Sequence, residues 1–142
     1  MTAAIDEEIA EFLTGNQVAT ICCSEDNVPY CFSCFYTTME KEKWIVFKSS
    51  FGTRHGEILN QNCMVAGTIL PKELNPAVIH GIQFEGTAKT ENEISILPAV
   101  TAYYLKYPVA MTMPGKVWVI ELDSIKLTDN SKGFGYKCIW KK

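Results

Sequence analysis

"WIVFKSSFGTRHGEIL" (residues 44–59) changes its hydrophobic pattern part-way along. Ile45, Val46 and Phe47 form a β-branched and aromatic run that suits a strand, whereas Ile58 and Leu59 follow a polar stretch that suits a helix. Between them Ser49, Ser50, Phe51 and Gly52 read as a turn, and Thr53 reads as the start of a helix over residues 53–62. Arg54 is the only arginine among 13 lysines and arginines, and His55 is one of 2 histidines. A helix start presents unpaired N–H groups and the positive end of the helix dipole, so it attracts an anion before any side chain acts. Thr53 adds a hydroxyl, Arg54 a planar fork for two phosphate oxygens, and His55 a further donor. Lys48, Ser49 and Ser50 arrive on the strand end facing the same turn, and Gly52 permits a close backbone approach. A phosphate-bearing ligand suits this set. The plainer alternative makes Thr53 a helix cap and leaves Arg54 and His55 as exposed first-turn residues. The glycine spacing of a Walker loop or a dinucleotide fingerprint is absent.

Working outward, residues 17–24 and 28–37 are β-rich and are joined by Glu25-Asp26-Asn27, a hairpin turn. Residues 43–49 follow the polar Glu40-Lys41-Glu42 turn. Three consecutive strands without intervening helices form an antiparallel meander, which a doubly wound parallel sheet leaves unexplained. Residues 63–70, 78–90, 115–128 and 136–140 complete the β-capable runs. Gly81 and Gly86 allow bulging or a close approach within the long 78–90 run. Ile5, Ile9, Phe12 and Leu13 predict a first helix from Thr2 or Ala3 to a stop at Gly15. Leu97, Val100, Thr101, Tyr104 and Leu105 predict a third, starting near Ser95 or Pro98 and ending before Pro108. About six strands with helices only at connections favour a mainly β fold, a small antiparallel barrel with peripheral helices. The 142 residues carry no internal repeat or linker, which predicts one domain over 1–142.

Composition narrows the function classes. Charged residues make up 20% and the net charge is −3, which suggests neither disorder nor a general nucleic-acid-binding field. The acidic start (Asp6, Glu7, Glu8, Glu11) and the lysine-rich end read as two solvated faces. A basic region followed by an apolar run is absent, as is any stretch of roughly 18 or more apolar residues, so a soluble cytoplasmic protein without membrane association is expected. Cys31 and Cys34, like Cys22 and Cys23, point to opposite faces of a strand, so the 6 cysteines read as buried thiols and no metal is expected. Most aromatics read as core, with Phe51 set apart in its turn. His80 shares a strand face with Ile82 and Phe84 and reads as a buried, hydrogen-bonded histidine.

The strand end "FKSS", the helix start "TRH", the later "GIQFEGTA" and the terminal "DNSKGFGYKCIW", in that order along nearly the whole chain, resemble the pyridoxamine 5'-phosphate oxidase-like, FMN-binding split-barrel superfamily, in particular its short bacterial members. The resemblance implies a six-stranded antiparallel FMN-binding split barrel. It places the FMN phosphate on Thr53, Arg54 and His55, with Lys48, Ser49 and Ser50 contributing from the strand end. It sets Phe32, Ser33 and Cys34 beside the flavin ring, with "GIQFEG" approaching from another strand and making Gln83, and His80 just before that segment, ring neighbours. It further implies a homodimer with flavin at the subunit interface, residues 133–136 completing the partner's site. The implied activity is FMN-dependent oxidoreduction of a small molecule, with no catalytic side chain assigned. The alternatives are a flavin carrier or sensor that turns nothing over, and a haem-binding protein of the same fold with His80 as ligand. Pyridoxamine 5'-phosphate oxidases proper use an arginine and a histidine near the C-terminus, and neither residue type follows His80 here. They also tend to carry an arginine on the second strand, where residues 28–37 hold no basic residue. Vitamin B6 oxidation is therefore not implied, and Lys48 and the helix dipole carry more of the anion binding.

Overall fold

Asp26 and Asn27 take the left-handed conformation (φ 51° and 63°), as a two-residue hairpin turn requires when it must match the twist of its strands. The turn joins β1 (Val18–Glu25) to β2 (Val28–Met39), and Lys43, also at positive φ, leads into β3 (Trp44–Ser49). The computed structural model describes residues 3–142. The remaining strands are β4 (Met64–Ile69), β5 (His80–Lys89), β6 (Lys116–Asp129) and β7 (Lys137–Lys141). All pairings are antiparallel. The order β3-β2-β1-β4-β5-β6 closes on itself because β3 also pairs with β6, which makes a six-stranded barrel. β6 spans 14 residues; its first half pairs with β3 and its second half with β7, a seventh strand outside the closed ring. Opposite β5 the register slips so that Asp123 is the extra residue of a bulge. A Cβ on Gly86 would lie 2.4 Å from the Glu121 carbonyl oxygen, so a side chain there would prevent this approach of β5 to β6.

The barrel interior holds Ile21, Tyr36, Ile45, Phe47, Phe84, Ile120 and Ile125, each 2% exposed or less. Helix α1 (Glu7–Thr14) adds Ile9, Phe12 and Leu13, and α2 (Arg54–Gln61) adds Ile58 and Leu59. A second cluster lies on the other face of β3 and β6, where Val46, Val117 and Val119 pack under Ala99 and Tyr103 of α3 (Leu97–Lys106). Both faces of β3 and of the first half of β6 are covered, so residues 44–47 and 117–120 run continuously apolar, whereas the second half of β6 alternates. Among the described residues, no helix is long and apolar enough to cross a membrane.

The structure alters four expectations. α1 begins at Glu7, because Ala3 accepts from the Trp140 indole N–H (2.9 Å) and Asp6 from the Cys138 thiol (2.9 Å), which hold residues 3–6 against β7. The earlier start at Thr2 lies outside the described residues. The acidic and basic ends are solvated at Glu7, Glu11, Lys137 and Lys141 but join at one point, where Lys132 Nζ and the Tyr136 hydroxyl each donate to the Glu8 carboxylate at 2.7 Å. Cys31 and Cys63 are exposed, not buried. Tyr36 and Phe47 are core aromatics as expected, whereas Phe35 stands 55% exposed on the β2 edge of a cleft.

Candidate functional site

The cleft forms where β3 ends. Ser49 is the last residue of the strand, Gly52 turns the chain at φ 72°, and Thr53 caps α2 by accepting from the Gly56 N–H at 3.2 Å. Three polar side chains meet at this corner. Ser49 Oγ lies 3.3 Å from Thr53 Oγ1 and 2.5 Å from His55 Nε2. The His55 ring stacks face to face on Phe32 from β2, with centroids 3.7 Å apart and planes 9° from parallel. Burial against Phe32 and the strand end holds the His55 pKa below its ordinary 6.5, so the ring is neutral at pH 7 and acts as a hydrogen-bonding wall.

A cavity of about 320 Å³ opens in front of this corner. Phe32, Ser33, Cys34 and Phe35 line one side, Lys48, Ser49, Ser50, Thr53 and His55 the floor, and Tyr103, Ala110, Met113 and Pro114 the other side. Lys48 ties the two halves together. Its Nζ donates to the Tyr104 hydroxyl (2.7 Å) and to the carbonyls of Ala110 (2.8 Å) and Met113 (2.6 Å), which anchors the 3-10 turn Pro108–Thr112 that follows α3. Those contacts engage all three protons of the ammonium, while its charge stays at the cleft. Desolvation pushes the Cys34 thiol up to about 12, which makes it a packing group. Desolvation likewise pushes Tyr103 up to about 12, and its hydroxyl donates to the Phe35 carbonyl at 3.2 Å.

Of the residues singled out from sequence, Lys48, Ser49, Ser50, Thr53, His55, Phe32, Ser33 and Cys34 line this one cleft. Arg54 and Gln83 do not. Arg54 turns away from the cleft lining, and its guanidinium carbon sits 4.4 Å from the centroid of the Tyr30 ring. Gln83 is on the outer face of β5, between Thr68 and Lys126, beside a separate groove that also borders Cys22. His80 is also elsewhere, edge-on to Phe12 at 4.8 Å and 3.8 Å from the Asp129 carboxylate. The sequence reading missed Tyr103, Ala110, Met113 and Pro114, which reach the cleft only because α3 crosses β3. For Ala110, Met113 and Pro114 the signal was the largely apolar 108–114 stretch that follows the third helix.

Chemically, the corner suits an oxyanion. The Thr53 oxygen accepts the Gly56 N–H, so its hydroxyl proton remains available to a ligand or to Ser49. The N–H groups of Arg54 and His55 have no acceptor within the helix. A phosphomonoester placed there meets hydroxyls, backbone donors and the positive end of α2, with Arg54 in the same first turn.

A closed six-stranded antiparallel barrel carrying these elements has the split-barrel fold of pyridoxamine 5'-phosphate oxidase-like proteins. Solved structures share it: a FAD-binding protein from Mesorhizobium loti (TM-score 0.69, 14% identity, 88% of this chain and 95% of that one) and a putative pyridoxamine 5'-phosphate oxidase from Listeria innocua (TM-score 0.66, 15% identity, 85% and 95%). A heme binding protein from Mycobacterium smegmatis has the fold as well (TM-score 0.77, 16% identity, 98% of this chain and 60% of that one). No family model matches the chain. Its sequence is 33% identical over 141 residues to a UPF0306 protein of Serratia proteamaculans, covering 99% of this chain and 98% of that one. It is 35% identical over 135 residues to a UPF0306 protein of Photorhabdus laumondii, covering 94% of each. The chain belongs to the UPF0306 family.

Proposed function

We propose that the chain is a single-domain, homodimeric cytoplasmic flavoprotein that binds FMN by its phosphate at the start of α2 and serves as an FMN-dependent oxidoreductase acting on a small molecule. The observation that carries this reading is the meeting of Ser49, Thr53 and His55 at a helix start that opens into a cleft. Ser49, Ser50, Thr53 and the first N–H groups of α2 take the phosphate, and Arg54 joins them by leaving Tyr30. Lys48 contributes its charge while holding the 3-10 turn that closes one side. Phe32, Ser33 and Cys34 form the wall beside the flavin ring. Bound there, FMN supplies hydride and electron chemistry, and the chain supplies orientation, electrostatics and exclusion of water. Phe134 stands wholly in solvent in the 133–136 loop, which supports a role for that loop in completing the partner's site. Gln83, on the outer face, is available to a partner in the same way.

A flavin carrier or sensor is the second reading, and haem binding through His80 is the third. FMN and riboflavin are titrated in parallel by flavin fluorescence, and the FMN complex is then mixed with NADH or NADPH and an electron acceptor. Tight FMN binding with reduction at a catalytic rate supports the oxidoreductase, while tight binding and inertness to every donor supports the carrier. A Soret band that His80→Ala abolishes, without flavin binding, overturns the flavin reading in favour of haem.

A further inference from the structure

Two cysteines that diverge from their chain neighbours meet each other across strands. Cys22 is opposite Cys31 in the β1–β2 register, and the Cys31 thiol donates to the Cys22 sulfur at 3.0 Å. Strand pairing explains the approach. The Asp26-Asn27 turn closes on the Glu25–Val28 pair, and the Tyr36 N–H donates to the Gln17 carbonyl at 2.9 Å, so hydrogen-bonded pairs fall on the odd-numbered residues of β1. Cys22–Cys31 is therefore a non-hydrogen-bonded pair. So is Ser24–Pro29, where the proline has no N–H to contribute. At such positions the Cα atoms are about 4.5 Å apart, inside the roughly 4.4–6.8 Å that a disulfide spans without backbone movement.

The site is also reachable and distinct. Cys31 is exposed and Cys22 is half-buried beside it, whereas Cys23 is buried and donates to the Tyr30 carbonyl. Cys138 is held by the Asp6 carboxylate, and Cys34 packs in the cleft wall. Cys22–Cys31 is the one sulfur–sulfur contact found among the described residues.

We infer that Cys22 and Cys31 form a redox-active dithiol, a modification site that peroxides oxidise to a cross-strand disulfide within one chain. The exposed Cys31 sulfur attacks the peroxide O–O bond, becoming a sulfenic acid as one water leaves. The Cys22 sulfur then displaces that hydroxyl, forming the S–S bond as a second water leaves. Two thiols lose two electrons and two protons, and one hydrogen peroxide becomes two waters. Desolvation and the neighbouring thiol push Cys22 up to about 11, which suits the resolving sulfur better than the attacking one. The bond staples the hairpin one residue before Phe32, the ring that stacks on His55.

The test treats the reduced full chain with hydrogen peroxide, alkylates the remaining thiols in denaturant and maps non-reduced peptides by mass spectrometry. Cleavage at Glu25 or Asp26 separates the two strands. The expected product is a linked pair of peptides, lighter by two hydrogens, whose fragments show Cys23 and Cys34 alkylated, and which dithiothreitol separates. Cys22→Ser and Cys31→Ser each abolish it. Irreversible oxidation of Cys31 without a linked product overturns the inference, as does a bridge through Cys23 or Cys34. So does oxidation of Cys63 or Cys138 while Cys22 and Cys31 stay alkylated. The wild-type map decides the question even where a variant fails to fold.

Discussion

Arg54→Ala separates two contributions of one side chain. In the structure Arg54 is exposed and its guanidinium carbon lies 4.4 Å from the centre of the Tyr30 ring. An exposed cation–π contact contributes about 0.5–1 kcal/mol, so the urea midpoint falls slightly and the slope of the transition stays unchanged. Ligand binding responds differently. A charge-assisted contact to phosphate contributes roughly 1.5–3 kcal/mol, and Arg54 must give up its stack on Tyr30 to make it. The difference is about 1–2 kcal/mol, or roughly a 5- to 30-fold weaker Kd for FMN. Riboflavin lacks the phosphate, and its Kd stays the same. Raising the salt narrows the gap between wild type and variant, since exposed charges are screened over a Debye length of about 8 Å at physiological ionic strength. Parallel fluorescence titrations of both flavins, with urea unfolding of both proteins, supply every quantity. If FMN and riboflavin weaken together, the phosphate does not sit at the start of α2; if FMN binding is indifferent to the substitution, Arg54 stays on Tyr30 and takes no part in holding it.

Phe47→Ala empties a fully buried position and lowers the unfolding free energy by about 3–5 kcal/mol; a loss under about 1 kcal/mol in urea unfolding would contradict the core described here. Gly86→Ala drives a methyl against the Glu121 carbonyl and costs about 1–3 kcal/mol, and an unchanged midpoint would mean that the bulge relaxes freely. Lys48→Met releases the carbonyls of Ala110 and Met113, so hydrogen exchange and proteolysis quicken in residues 108–113 while the barrel amides keep their protection; uniform behaviour along the chain would refute the tether. Burial depresses the His55 pKa, so its contribution to stability is fully present above about 6.5 and is lost as pH falls from there through the folded-state value. The stability difference between wild type and His55→Gln should therefore change across that window, and a pH-independent difference would show that His55 titrates alike in both states.

The meander, the three helices and the barrel class were legible because each rests on a local signal. Asp26-Asn27 tolerates the left-handed turn, Thr53 caps α2, and Pro108 ends α3. What covers the outer face of β3 and of the first half of β6 was not legible, since a continuous apolar run says that both faces are covered and nothing about what covers them. α3 supplies that cover, and it thereby carries Tyr103 to the cleft. The Cys22–Cys31 contact was hidden for a related reason. Spacing along one strand separates each cysteine from its neighbour, and only the register of the hairpin, set by its two-residue turn, brings the two together.

The division within Thr53-Arg54-His55 follows from helix geometry. With 3.6 residues per turn, successive side chains diverge by about 100°, so three consecutive residues at a helix start do not all face one cavity. Thr53 precedes the helix and turns back over its first turn, and His55 points toward Phe32 and the cleft. Arg54 is left on a different side, exposed, with its guanidinium over the Tyr30 ring. A long, flexible arginine is the one member of the triplet able to cross that angle, and its planar fork is suited to gripping a phosphate after doing so. Replacing Arg54 by lysine keeps the charge but loses the fork and weakens the stacking, so Arg54→Lys should recover only part of the FMN affinity lost in Arg54→Ala. Full recovery would mean that charge alone is felt at the helix start, and no recovery would mean that the bidentate grip accounts for the whole effect.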